Sequence, residues 1–198
     1  MSPQNILFAK WLEKIKVVEL FVEELVNRIL AVALMVISMF YACTENNSRL
    51  NKSVSKPLYR DPVYDGAADP VVIWNEPVAK WFMYYTNRRA NAEGLDGVSW
   101  VHGTRIGIAE SDDNGLTWTY RDTCAIPKLV PEPTHWAPEV IWNEGLYHMY
   151  LTYVPGIFEN WNHPRNIVHL TSSDGINWDY ESTVKLVNDK VIDACVYK

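Results

Sequence analysis

The region 58–198 predicts an all-β fold, a partial β-propeller, behind an N-terminal helical leader. Three observations carry that expectation. The chain repeats itself, its repeats alternate aromatic and β-branched strands with Ser/Asp/Gly turns, and its one long apolar run lies before residue 44. The composition excludes other classes. The chain has 198 residues, is 48% hydrophobic and 21% charged, and carries a formal net charge of −6. No long basic run is present, which argues against a nucleic-acid partner. Three cysteines are too few for a disulfide scaffold, and neither Cys-x-x-Cys nor His-Glu-x-x-His occurs.

The leader comes first. From Ile29 to Cys43 the chain runs without a charge, behind Arg28. A membrane span needs ~20 apolar residues, whereas this run has the length of a signal-peptide apolar region. It ends in Phe40-Tyr41-Ala42-Cys43 and turns polar at Thr44. A small residue before a cysteine at that place resembles a bacterial lipobox, which implies lipidation of Cys43 and export to the periplasm or cell surface of a Gram-negative bacterium as a membrane-anchored lipoprotein. Residues 1–43 are therefore read as leader. Within them, residues 1–24 carry both acids and lysines, unlike a short basic signal start, and read as a mis-started extension. The polar stretch 44–57 reads as a tether.

The repeat comes next. Pro70-Val71-Val72-Ile73-Trp74-Asn75-Glu76 matches Pro138-Glu139-Val140-Ile141-Trp142-Asn143-Glu144, 68 residues on. Each copy continues into an aromatic strand. Further on, Ser111-Asp112-Asp113-Asn114-Gly115-Leu116-Thr117-Trp118 parallels Ser172-Ser173-Asp174-Gly175-Ile176-Asn177-Trp178. The expected strands are 71–75, 80–86, 104–110 and 117–121, then 139–143, 146–153, 166–171 and 177–181. Four antiparallel strands in ~60–70 residues make a propeller blade. A third blade is expected to open at Val191-Ile192-Asp193-Ala194-Cys195-Val196-Tyr197. Propellers close with about four to eight blades, so the sequence reads as the front of a longer array.

The first strand of a blade faces the central channel. Asp69 opens the first blade, Glu139 stands on the opening strand of the second, and Asp193 aligns with Asp69 at the third. Strand parity puts positions 69 and 71 on one face, and 71 aligns with Glu139, so all three acids are expected near one axial pocket. Hydrolysis of a glycosidic bond by inversion uses such carboxylates, one activating water and one protonating the leaving oxygen. Trp100, His102, His135 and Trp136 lie in or beside the loops at the expected mouth and are candidates for sugar contact. Trp118, Trp178 and His148 read as packing, Asp61 as a turn starter before Pro62. Arg88-Arg89 read as a solvated loop, with an acidic sugar as the alternative use.

Ala68-Asp69-Pro70, Trp136-Ala137-Pro138-Glu139-Val140 and Ile192-Asp193-Ala194 resemble the blade-opening motifs of family 43 glycoside hydrolases. The resemblance covers the N-terminal portion of such a domain. It implies an incomplete five-bladed propeller acting on plant- or algal-type polysaccharides rich in arabinose or xylose, with inversion. It would make Asp69 the base and Glu139 the second carboxylate, although that family usually has Asp there. Its catalytic acid lies in a Glu-Gly-Pro motif, which this sequence does not contain. The resemblance requires no cofactor and is compatible with calcium. Two other readings compete. Ser111-x-Asp113-x-Gly115-x-Thr117-Trp118 fits the Asp box of sialidase-like propellers, and a non-catalytic glycan-binding lipoprotein would use Trp136 without needing the acids.

Overall fold

Runs such as Trp81-Phe82-Met83-Tyr84-Tyr85-Thr86 are rich in aromatic and β-branched side chains that suit a pleated surface buried on both faces. The computed structural model describes residues 25–38, 56–89 and 93–197. The chain divides into two units, Met1–Ser53 and Val54–Lys198. In the first, residues 25–38 form a helix. No helix among the described residues is long and apolar enough to cross a membrane. Cys43, residues 1–24 and residues 44–55 of the expected tether lie outside the described residues.

The second unit holds two four-stranded antiparallel sheets. β1 (Ala68–Asn75), β2 (Lys80–Thr86), β3 (Ile106–Ser111) and β4 (Thr119–Thr123) form one meander. β5 (Thr134–Asn143), β6 (Leu146–Val154), β7 (Asn166–Ser172) and β8 (Asp179–Thr183) form the other. These are two propeller blades, and their opening strands β1 and β5 pack side by side. One core runs through both, built from Phe82, Tyr84, Ile106 and Ile108 of the first blade and Val140, Met149, Leu151 and Leu170 of the second. Trp178 lies in this core and Trp118 packs on Met83, Tyr85 and Ala109, so both serve packing as expected.

Backbone and side-chain hydrogen bonds stitch the blades. Tyr84 Oη donates to the Gly175 carbonyl at 2.8 Å, and Asn75 Nδ2 to the Asp174 carbonyl at 2.9 Å. Gly175 has φ +76°, and a Cβ there would meet Tyr84 Oη at 2.5 Å, so the turn requires glycine twice over. Burial pushes the Tyr84 phenol well above its ordinary range and keeps it a donor.

The opening strands start earlier than expected, at Ala68 and Thr134, because each contains a bulge. On β1 the pairing passes from Ala68 opposite Thr86 to Val71 opposite Tyr84. On β5 it passes from Trp136 opposite Thr152 to Glu139 opposite Tyr150. Between these pairs two residues face one in each case, which is one residue too many. The parity expectation for positions 69 and 71 therefore fails: across the bulge, 68 shares a face with 71 and 136 with 139. The expected strand at Val191–Tyr197 is also absent among the described residues. Its backbone is held instead by single bonds, Val191 N–H to the Arg165 carbonyl and Asp193 N–H to Thr152 Oγ1 at 3.2 Å. No described segment runs alongside it to complete a ladder, which is what a strand requires.

Candidate functional site

Asp69 at φ 50° and Ala137 at φ 41° sit in the two bulges, and Asp193 has φ 57°. They align in the repeat, and all three adopt the left-handed backbone that Asp tolerates better than most residues. A threonine supports two of them. Thr86 ends β2 and its Oγ1 accepts the Ala137 N–H at 3.0 Å. Thr152, at the matching place on β6, accepts the Asp193 N–H. Both threonines are buried. Each blade's second strand thus holds the opening bulge of the segment that follows, and residues 191–194 sit as a blade opening does although they form no strand.

Asp69 and Asp193 line a cavity of about 400 Å³ together with Thr86, Arg88, Trp100, Val101, Trp136, Trp161, Arg165 and Ile192. Of the expected site residues it gathers Asp69, Asp193, Trp100 and Trp136. Its wall is aromatic. Trp161 lies edge-on to Trp100 with ring centres 6.3 Å apart and tilted against Trp136 at 5.9 Å. Trp100 stands on a short 3-10 helix, Ser99–Val101, and Trp136 packs on Phe158 at 5.9 Å. Two acids, two guanidinium groups and three indoles in one cavity can grip a polyhydroxylated ring: the indole faces stack on C–H surfaces and the charged groups take the hydroxyls.

Glu139, His102 and His135 do not line this cavity. Glu139 lies beyond the bulge, opposite Tyr150. His102 braces a loop: its Nε2 meets the Phe158 carbonyl at 2.6 Å, and its ring lies 4.5 Å from that of Phe158. His135 is 1% exposed and packs on Tyr153 at 5.1 Å. Burial, with Arg105 nearby, drives its pKa down to about 3, so it is neutral near pH 7. Trp161 and Arg165 were not expected. They come from the loop between β6 and β7, where the only signal was a lone Trp in a polar Asn-Trp-Asn-His-Pro stretch. Thr86 and Thr152 could have been found from their equivalent places in the repeated strands. Among the described residues no group of three His, Cys, Asp or Glu side chains comes together as a metal site would need.

The paired Ser/Asp/Gly turns are both built. In the first blade Asp113 Oδ1 accepts from Ser111 Oγ and the Thr117 N–H, and Oδ2 from Thr117 Oγ1. In the second, Asp174 accepts from Ser172 Oγ, the Ile176 and Asn177 N–H groups and Asn177 Nδ2. The aspartates of both turns are occupied in holding a turn and do not line the cavity.

No family model and no curated protein matches the chain. Solved structures do. A family 43 β-xylosidase/α-arabinofuranosidase from a compost microbial metagenome superposes with a TM-score of 0.50 at 18% identity, over 67% of this chain and 39% of that one. The chain shares its fold with part of a family 43 glycosidase propeller. A family 117 glycoside hydrolase from the marine bacterium Zobellia galactanivorans gives 0.49 at 18% identity, over 69% of this chain and 46% of that one. An arabinanase from Bacillus subtilis gives 0.40 at 20% identity, over 61% and 40%. The chain thus spans less than half the length of each of these proteins.

Proposed function

We propose that this chain provides the base side of a glycoside-hydrolase pocket that cleaves arabinose- or xylose-type glycans with inversion. The observation that supports it is Asp69, set on a left-handed bulge in a cavity walled by Trp100, Trp136 and Trp161. Asp69 is the base that takes a proton from water as the water attacks the anomeric carbon. Asp193, across the same cavity, accepts hydrogen bonds from sugar hydroxyls. Glu139, on the opening strand of the neighbouring blade, does not line the cavity, and its part as second carboxylate is what Glu139→Gln tests. The indoles hold the ring so that the attacking water and the bond to be broken are in line. Among the described residues the cavity's acids are Asp69 and Asp193, and neither is assigned as proton donor to the leaving oxygen.

A second reading is a glycan-binding protein without turnover, in which Trp100, Trp136 and Trp161 carry the affinity. In both, an exported lipoprotein anchored through Cys43 would present the cavity to polysaccharide at the cell surface. Asp69→Asn separates them. In the hydrolase, release of sugar from arabino- and xylo-oligosaccharides falls by about 10²–10⁴-fold while affinity stays within a few-fold. Full activity in that variant overturns the base assignment. Absence of turnover in the parent, with Trp136→Ala abolishing affinity, establishes the binder. Glu139→Gln is measured beside it, and an unchanged rate removes Glu139 from the mechanism.

A further inference from the structure

We propose that a side cleft next to the cavity is an anion subsite, which takes the acidic substituent of a charged glycan; this rests on the glycan reading above. The cleft has a volume of about 580 Å³ and is reached past Arg88 and Trp100, which line both spaces. Arg89 joins Arg88 in its wall, and among the described residues no carboxylate lines it. Gly66 forms part of the wall, where even a Cβ would come within 2.5 Å of the Arg88 carbonyl.

The two guanidinium groups have no acidic partner among the described residues. The ion pairs there join Arg60 to Asp65, and Lys80 and Arg121 to Glu110. Arg88 lies over the Trp100 ring, 4.5 Å from its centre, which fixes the guanidinium plane at the junction of cavity and cleft. A third cation, Arg165, faces the main cavity, where its Nη1 donates to the Trp161 carbonyl while its buried Nε has no partner. The protein as a whole is acidic, with a net charge of −6. Arg88 also faces the main cavity with Asp69 and Asp193, but the described lining of the cleft holds two arginines and no acid, against the overall field. A planar guanidinium pairs with a carboxylate or sulfate through two parallel hydrogen bonds, and a neutral sugar cannot reproduce that pairing. The shared ligand chemistry is a sugar bearing one negative charge, either a uronate or a sulfate ester.

Affinities are measured by calorimetry on the full chain for three probes: xylotriose, xylotriose bearing one glucuronic acid, and xylotriose bearing one sulfate. At least one charged probe is expected to bind about tenfold tighter than the neutral one, one charge-assisted contact being enough for that ratio. The ratio is expected to shrink in high salt. Arg89→Gln, and more so Arg88→Gln with Arg89→Gln, should bring it to about twofold or less, with thermal melts showing that the variants fold. A preference for the uronate over the sulfate assigns the carboxylate source, and the reverse assigns the ester. Equal affinity for charged and neutral probes overturns the anion subsite and leaves the glycan reading standing, as does a charge preference that survives the double variant. Failure of all three probes to bind overturns both.

Discussion

Asp61 shows how far a single side chain can reach. It is 3% exposed, and one carboxylate oxygen accepts the N–H groups of Val63 and Tyr64, each at 2.8 Å. The other accepts from Tyr85 Oη at 2.6 Å, and Tyr59 Oη lies 2.9 Å from Tyr85 Oη. The segment ahead of β1 is thus fastened to the end of β2. Its role as a turn starter was legible, since Asp before Pro predisposes to a turn. The tyrosine partner was not, because its position depends on strand pairing. Asp61→Ala strands two backbone donors and a buried phenol, and should cost about 3 kcal/mol. Asp61→Asn keeps an acceptor for the turn and should cost clearly less. Urea unfolding measures both, and equal losses would show that the tyrosine bond, not the turn, carries the effect.

At the level of elements, the turn after the third strand is the most conspicuous repeated device. Asp174 braces its own turn with four hydrogen bonds while its carbonyl accepts from Asn75 of the other blade. Asp174→Ala should lower stability by about 2 kcal/mol, whereas Ser173→Ala, on the exposed side of the same turn, should change it by less than about 0.5 kcal/mol. A chemical-denaturation midpoint read for the two variants checks the contrast. These turns, the strands and the blade repeat were all readable, because each has a local pattern of side chains. The bulges at Asp69 and Ala137 were not. An added residue leaves the apolar pattern of β1 and β5 unchanged on paper and shows only when the partner strand is in place. That is why counting parity joined Asp69 to Val71, and through it to Glu139, whereas the backbone joins Asp69 to Ala137 and Asp193. The cavity was legible in the same measure: Asp69, Asp193, Trp100 and Trp136 belong to repeated or loop motifs. Trp161 and Arg165 reach it from a loop with no repeat, and His135 turns away into the core.

For the whole molecule, these placements fix how it responds to acid. His135 is neutral in the fold, its pKa held down at about 3 by burial and by Arg105. His169 is lowered as well, by burial first and then by His148, whose Nδ1 lies 2.9 Å from its Nε2; Glu181 opposes this. In the unfolded chain both imidazoles titrate near 6.5. Protonation therefore favours unfolding. Their contribution to stability is complete above pH 6.5 and declines as the pH falls, for His135 down to about 3. Asp174 acts with the same sign at lower pH. Burial alone would raise its pKa, but the bonds from Asn177, Ile176 and Ser172 outweigh burial and hold it at about 2, below the 3.8 of a free aspartate. Its contribution is present above 3.8 and is lost as the pH falls towards 2; allowing for solvent screening of a partly exposed group, it amounts to about 1 kcal/mol. The unfolding free energy should thus fall in two stages, below pH 6.5 and again below 4. His135→Phe removes the first titration at that site while filling much the same buried space beside Tyr153. Its stability should fall less steeply than the parent's from pH 6.5 down to about 3, with the Asp174 contribution below pH 4 retained. Parallel curves for parent and variant across that range would mean that His135 takes up no proton on unfolding, and the neutral buried imidazole would have to be abandoned.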